Sequence, residues 1–187
     1  MRSLLAMMAV SFALSASAGE IHGKVSSPKG GAGVLVYVVQ ASGAFKPKPA
    51  TVNQQKMAFV PYVTPVLQGA TVTFRNDDPV NHNVFSPDGE GFNLGTWSKG
   101  QTKTHTFQQT GIDALLCSLH PEMEGYVVVL QNPYYAMTKD DGSYVIKGVP
   151  DGAYTVRAFG KPIKKKKDRK KEFPVTVSGS TSLDLEF

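Results

Sequence analysis

Short apolar or alternating segments, each bounded by Gly, Pro, Asn or Asp, recur along most of the chain. Segments of this kind that are rich in Val, Ile, Tyr and Phe are typical of β-strands. The pattern therefore predicts an all-β protein, with a loop over 41–53, where Pro and Gly interrupt it. Strands are predicted at 21–25, 34–39, 63–67, 70–74, 103–107, 112–116, 126–130, 173–177 and 182–187.

Two Asp-Gly pairs, Asp141-Gly142 and Asp151-Gly152, stand in the last third of the chain. Each is followed by alternating apolar residues, and Asp-Gly in that setting is a strong hairpin signal. The C-terminal part, 133–187, is therefore predicted to form a small β-structure.

The first residues have the composition of an export signal. Met1-Arg2 supplies a positive start, residues 4–14 are apolar but too few to span a bilayer, and Ala16-Ser17-Ala18 supplies a cleavage site. We predict a signal peptide over 1–18, removed on export to the periplasm. An uncleaved membrane anchor is the alternative.

Candidate chemistry is concentrated at 117–123, where Cys117, His120 and Met123 lie close together. A lone cysteine in an exported protein cannot form an internal disulfide, so a ligand role is favoured. Thiolate, imidazole and thioether donors favour copper over magnesium, calcium or manganese, and methionine is not a usual zinc ligand. Because a type 1 copper site has two histidines, one cysteine and a weak axial methionine, a second histidine must come from elsewhere.

His82 follows a turn-forming cluster over 76–79 and is the leading candidate for that second histidine, mainly because Asn83-Val84 follows it, as in a copper-protein family that it resembles. His105 is the rival, but it lies in the alternating segment 103–107 and is predicted to face solvent. His22 has no ligand-type neighbour and is predicted to be a surface residue.

The motif Cys117-x2-His120-x2-Met123 after a strand, with His82-Asn83-Val84 upstream, resembles the cupredoxins. Its short loop is most similar to amicyanin, and its His-Asn-Val to plastocyanin. The resemblance covers roughly residues 57–130 and implies a Greek-key β-sandwich. It also implies one type 1 copper ion, held by the two histidines, the cysteine and the methionine of these motifs.

The same resemblance assigns roles to residues around the metal. Asn83 is expected to brace the cysteine loop, as the corresponding residue does in plastocyanin. His120 is expected to reach the surface as the electron port, within an apolar docking patch formed by Leu119 and Pro121.

The net excess of positive charge lies mainly in the C-terminal part. Acidic and basic residues balance over 20–132, whereas 133–187 carries a net +4 of the overall +5. Most of the excess lies in 161–171, which includes Lys165 and Lys166. This run is either a solvated hairpin tip or a docking patch for an acidic partner or an anionic membrane surface. Nucleic acid is excluded as a partner, since no aromatic residues interleave the lysines.

The C-terminal part resembles the carboxypeptidase regulatory-like domain, a small immunoglobulin- or transthyretin-like β-sandwich. The usual opening of that domain resembles residues 21–38, so the N-terminal strands over 19–40 belong either to it or to the cupredoxin. The expected organisation is therefore a signal peptide at 1–18, N-terminal strands at 19–40, a copper domain at 41–132 and a second sandwich at 133–187.

These features together predict a monomeric periplasmic copper protein that carries single electrons between redox partners such as a cytochrome or an oxidoreductase. A copper carrier or storage protein is one alternative, although its methionines are too dispersed for a Met-rich site. A non-redox module that binds protein or carbohydrate is another. No intrinsic catalysis is expected, because too few histidines remain for a second copper.

Overall fold

Extended strands make up the regular structure of the computed structural model, which describes residues 18–163 and 168–187. The all-β class predicted from the sequence is confirmed. The predicted leader, apart from Ala18, lies outside the described residues. No helix in the described ranges is long and apolar enough to cross a membrane.

The first eleven strands of the described residues run from Ala18 to the end of the predicted copper domain. They are β1 Ala18–Ser26, β2 Leu35–Val38, β3 Ala50–Gln54, β4 Phe59–Val60, β5 Val63–Leu67, β6 Thr71–Asn76, β7 His82–Ser86, β8 Phe92–Trp97, β9 Thr102–Thr106, β10 Gly111–Leu116 and β11 Glu124–Leu130.

Six further strands and a short 3₁₀ helix complete the described chain. They are β12 Tyr135–Met137, β13 Ser143–Pro150, β14 Gly152–Phe159, the 3₁₀ helix Asp168–Lys170, β15 Phe173–Val177, β16 Ser180–Ser182 and β17 Leu185–Glu186.

The strands form four sheets. Sheet 1 has the order β13-β1-β16, with β17 also pairing with β1; sheet 2 has the order β12-β2-β14-β15. Sheet 3 has the order β5-β11-β10-β7-β8, and sheet 4 has the order β4-β3-β6-β9. The two N-terminal strands, β1 and β2, therefore pair with strands of the C-terminal part.

Three apolar clusters show that the sheets are stacked in numerical order. One cluster joins sheets 1 and 2, a second joins sheets 2 and 3, and a third joins sheets 3 and 4. Sheets 2 and 3 are thus covered on both faces. This accounts for the unbroken apolar sequences of Leu35–Val38 and Tyr126–Leu130, since strands buried on both faces do not need a polar side.

The predicted loop over 41–53 is wrong at its end, because residues 50–53 belong to β3. Each residue of β3 lies opposite a residue of the parallel strand β6, from Ala50 opposite Val72 onward. The strand is formed by this distant partner and not by a strong local pattern.

Candidate metal centre

Two strands of sheet 3 bring the predicted ligands to one end of the sheet. His82 is the first residue of β7, and Cys117 directly follows β10. Because β7 and β10 are antiparallel, with Phe85 opposite Leu116, the start of one lies beside the end of the other. The loop from Cys117 to β11 then returns His120 to the same place.

Three donor atoms converge there. The Nδ1 atoms of His82 and His120 are 3.0 Å apart. The Sγ atom of Cys117 lies 3.9 Å from the first and 3.7 Å from the second. The circle through the three atoms has a radius of about 2.1 Å, close to metal–nitrogen and metal–sulfur bonds of about 2.0–2.3 Å. One ion therefore fits between them, and no other described group of His, Cys, Asp and Glu is as compact.

The donor set is that of a potential copper site, since thiolate and imidazole together suit copper. His82 and Cys117 are buried, whereas His120 is partly exposed. The site therefore lies just beneath the surface and reaches it through His120.

A buried carboxylate orients His82. The Oδ2 atom of Asp78 accepts a hydrogen bond from Nε2 of His82 at 2.9 Å. Because a carboxylate can only accept, the proton lies on Nε2 and the lone pair of Nδ1 is turned toward Cys117. Such outer contacts fix the tautomer of metal-binding histidines.

Asp78 also holds the turn between β3 and β4. Its carboxylate accepts from the amides of Lys56 at 2.7 Å and Met57 at 2.9 Å, two residues with positive φ. Burial would raise the pKa of Asp78, but the hydrogen bonds from Met57, His82 and Lys56 outweigh it, so the pKa lies below its ordinary value. Asp78 is therefore ionised at neutral pH.

Asp78 was not among the predicted site residues. In the sequence, the cluster over 76–79 indicates only a turn that precedes His82. The available signal was the four-residue spacing between Asp78 and His82, which is weak without the structure.

Asn83 links the two halves of the site. Its backbone N–H points to Sγ of Cys117 at 3.4 Å, and its Oδ1 accepts from the backbone N–H and hydroxyl of Ser118. Its side-chain NH2 donates to Asn93 and to the carbonyl of Gly95. The side chain predicted to brace the cysteine loop therefore contacts that loop directly.

Met123 is buried in the same apolar cluster as Cys117, and its backbone N–H donates to the carbonyl of His120 at 3.0 Å. This bond closes the loop between the two predicted ligands. The axial role of the Met123 sulfur stays a prediction.

His120 has an exposed apolar residue on each side in the chain. Leu119 is 48% exposed, and Pro121 is exposed beside it. Val80, which the sequence interpretation did not single out, is 43% exposed in the loop that precedes His82. Lys165 and Lys166, the other predicted docking residues, lie outside the described residues.

His105 does not join the centre. It lies in β9 of sheet 4, where its ring stacks on Phe92 with centroids 4.1 Å apart and its Nε2 is 3.4 Å from a carboxylate oxygen of Glu90. The predicted solvent-facing orientation is wrong, because these contacts leave the side chain 21% exposed. His22 has an exposed side chain in β1.

A tyrosine pair adjoins the end of the loop. Tyr62 donates to one carboxylate oxygen of Glu124 at 2.7 Å, and Tyr126 donates to the other at 2.5 Å. Burial, followed by these bonds to Glu124, raises the pKa of both phenols. The residue after Met123 is thereby held by Tyr62, in the link between β4 and β5, and by Tyr126 of its own strand β11.

Neither the models of known protein families nor the curated proteins include a match to this chain. Solved structures do match part of it. A copper-containing nitrite reductase from Thermus scotoductus SA-01 is 28% identical with a TM-score of 0.43, over 51% of this chain and 25% of the reductase. The match therefore spans about a quarter of that enzyme's length.

Two smaller proteins also match part of the chain. A purple cupredoxin from Nitrosopumilus maritimus is 30% identical with a TM-score of 0.40, over 43% of this chain and 98% of that protein. A variant of oxidised amicyanin is 29% identical with a TM-score of 0.41, over 43% of this chain and 81% of that protein. Because these TM-scores are low, we infer function from the geometry of the donor atoms and not from the overall structural similarity.

Proposed function

We propose that this protein is a type 1 copper protein that carries single electrons between redox partners. The observation that carries the proposal is the triangle of one sulfur and two imidazole nitrogens, whose sides of 3.0, 3.7 and 3.9 Å suit one ion. His82, Cys117 and His120 would hold the copper, and Met123 would be the weak axial ligand. The bound metal would supply a one-electron couple.

The surrounding residues serve such a couple by keeping the ligands in place. Asp78 fixes the His82 ring, and Asn83 ties the cysteine loop to β7 and β8. A site whose donors move little on gaining or losing an electron exchanges it rapidly. The buried position of Cys117 also limits its reaction with solutes.

His120 is the proposed point of electron entry and exit. It is the partly exposed member of the triangle, and its chain neighbours Leu119 and Pro121 are exposed apolar residues. Val80, two residues before His82, is also exposed. A small apolar contact suits short-lived encounters, as redox partners require. The partner would be a cytochrome or an oxidoreductase, met by this protein as a monomer.

A carrier of electrons is favoured over a carrier of copper, because the ligands are buried and braced by hydrogen bonds, which hinders release of the ion. We propose no intrinsic catalysis, and the partial match to a nitrite reductase does not transfer that activity. A binding module without a metal is disfavoured, because it does not account for the convergence of three metal-donor atoms.

The proposed location is the periplasm, from the charged start, apolar run and Ala-x-Ala site of residues 1–18. The proposed organisation is a copper unit inserted between strands of a carboxypeptidase regulatory-like sandwich. The pairing of β1 and β2 with β13 and β14 supports it. Lys165 and Lys166 are proposed to attract an acidic partner or an anionic membrane surface.

A visible and paramagnetic-resonance spectrum after copper(II) addition tests the function. We expect an intense charge-transfer band that His82→Ala abolishes and that the control His105→Ala leaves unchanged. A colourless, copper-saturated protein would contradict the proposal. Met123→Leu should keep the colour and raise the reduction potential, and an unchanged potential would mean that Met123 is not axial.

The port is tested separately by the rate of electron self-exchange, measured by NMR line broadening in mixtures of both oxidation states. Leu119→Lys should slow the exchange without altering the spectrum. The control Lys103→Gln changes charge in β9 and should leave the rate unchanged. Equal rates in the Leu119 variant and the wild type would rule out this surface.

A further inference from the structure

A cleft of about 560 Å³ lies between sheets 2 and 3, where the C-terminal part packs on the copper-bearing part. This volume falls within the range of small-molecule sites, about 300–1,000 Å³, and such sites often lie between domains. The cleft involves the outer face of β10 and β11, whereas the metal ligands line the opposite face and the end of sheet 3.

Apolar side chains from both sheets form its walls. Ile112 and Val128 contribute from sheet 3, and Tyr37 and Phe159 from sheet 2. The rings of Tyr126 and Phe159 meet edge to face, with centroids 4.9 Å apart. These surfaces suit a flat or chain-like apolar group.

Positively charged side chains lie along the same cleft. Arg157, Arg169 and Lys170 line it, and Asp88 is the single carboxylate among its described lining residues. The Arg169 guanidinium lies over two aromatic rings, 5.6 Å from Tyr126 and 5.2 Å from Phe159. Its Nε donates to the carbonyl of Ile163 at 3.3 Å, and the planar fork of guanidinium N–H groups is suited to a carboxylate.

We propose that this cleft binds a small organic anion with an apolar body, such as a medium-chain or aromatic carboxylate. The apolar body would lie against Val39 and Ile112, the partly exposed apolar residues of the lining, and the carboxylate would lie near Arg169 and Lys170. Arg157 is partly neutralised by Glu172, to which its Nε donates at 3.1 Å, and so contributes less. The site is independent of the metal.

The test uses the full mature chain and the fluorescent probe 8-anilinonaphthalene-1-sulfonate, which combines an anion with an apolar body. We expect saturable binding to the wild type, weakened about tenfold or more by Arg169→Gln. The control Arg75→Gln makes the same change on sheet 4, outside the cleft, and should bind as the wild type does.

A second variant tests the cleft independently, in case Arg169→Gln does not fold. Ile112→Trp fills the apolar floor and should abolish binding while the copper spectrum stays intact, and Lys170→Gln should weaken binding from an exposed position. Decanoate should displace the probe far better than decanol or inorganic phosphate. Equal dissociation constants for the wild type, Arg169→Gln and Ile112→Trp would overturn the proposal, as would displacement by phosphate alone.

Discussion

Replacement of Asp78 by Asn tests whether this carboxylate positions His82. Three donors point at it: Lys56 N–H at Oδ1, and Met57 N–H and His82 Nε2 at Oδ2. An amide has one oxygen, so its NH2 must face either the Lys56 N–H or the other two donors. In both orientations at least one of these donors loses its acceptor: the part-buried Lys56 N–H in one, or the buried His82 Nε2–H together with the Met57 N–H in the other.

The loss of at least one acceptor sets the expected changes in stability and in metal affinity. One buried donor without a partner costs about 1–3 kcal/mol, so the metal-free variant should be less stable by that amount. If the amide nitrogen faces His82, the imidazole must accept at Nε2 and carry its proton on Nδ1, where the metal would bind. Loss of such a contact lowers metal affinity about 10–100-fold.

Asp77→Asn is the matched control, because it removes the same charge one position away. Asp77 pairs with Arg75 at 2.7 Å, and that arginine is 56% exposed, so the loss should cost at most about 1 kcal/mol. Urea unfolding followed by the fluorescence of Trp97, which lies in the cluster between sheets 3 and 4, measures stability. Competition with a chelator measures copper affinity. Identical results for the two variants would refute the positioning role.

Three further predictions concern stability. Burial raises the pKa of Asp113 despite a hydrogen bond from the Glu90 amide, so stability should fall as pH rises from about 3.8 through the raised pKa. Asp113→Asn should remove that fall and unfold at higher urea at pH 7, and a lower midpoint would contradict this. Gly125→Ala would place a Cβ 2.7 Å from Phe59 and should cost about 1–3 kcal/mol in urea unfolding; an unchanged midpoint would show that the ring moves freely. Thr138→Val removes a buried hydroxyl that bonds two backbone groups and should cost about 1–3 kcal/mol, whereas Thr102→Val on exposed β9 should be neutral.

The strands that could be predicted are those whose pattern is local. β5, β10 and β11 have apolar runs bounded by turn residues, and the structure places strands there within a few residues. β3 could not be predicted, because its segment Ala50–Gln54 is mixed in character and becomes a strand only beside β6.

The same distinction applies to the site. Cys117, His120 and Met123 lie in one loop, so their spacing alone indicates a shared ligand. His82 was singled out by its turn and by resemblance, since no local rule joins it to a residue 35 positions away. Asp78 could not be assigned, because its role depends on amides of a turn 21 and 22 residues earlier. The orientation of His105 likewise depends on Phe92 and Glu90 from the neighbouring hairpin.

The position of β11 connects the stacking of the sheets to the proposed redox role. β11 starts directly after Met123, and its residues from Gly125 to Leu130 are buried, since one face packs toward sheet 4 and the other toward sheet 2. The loop that carries Cys117, His120 and Met123 is therefore anchored in a strand shared by two apolar clusters. A unit made of sheets 3 and 4 alone would expose the Tyr126 and Val128 face of that strand to water. By covering it, the C-terminal part removes freedom from the strand that ends the ligand loop, which is the physical reason to expect a rigid metal site here.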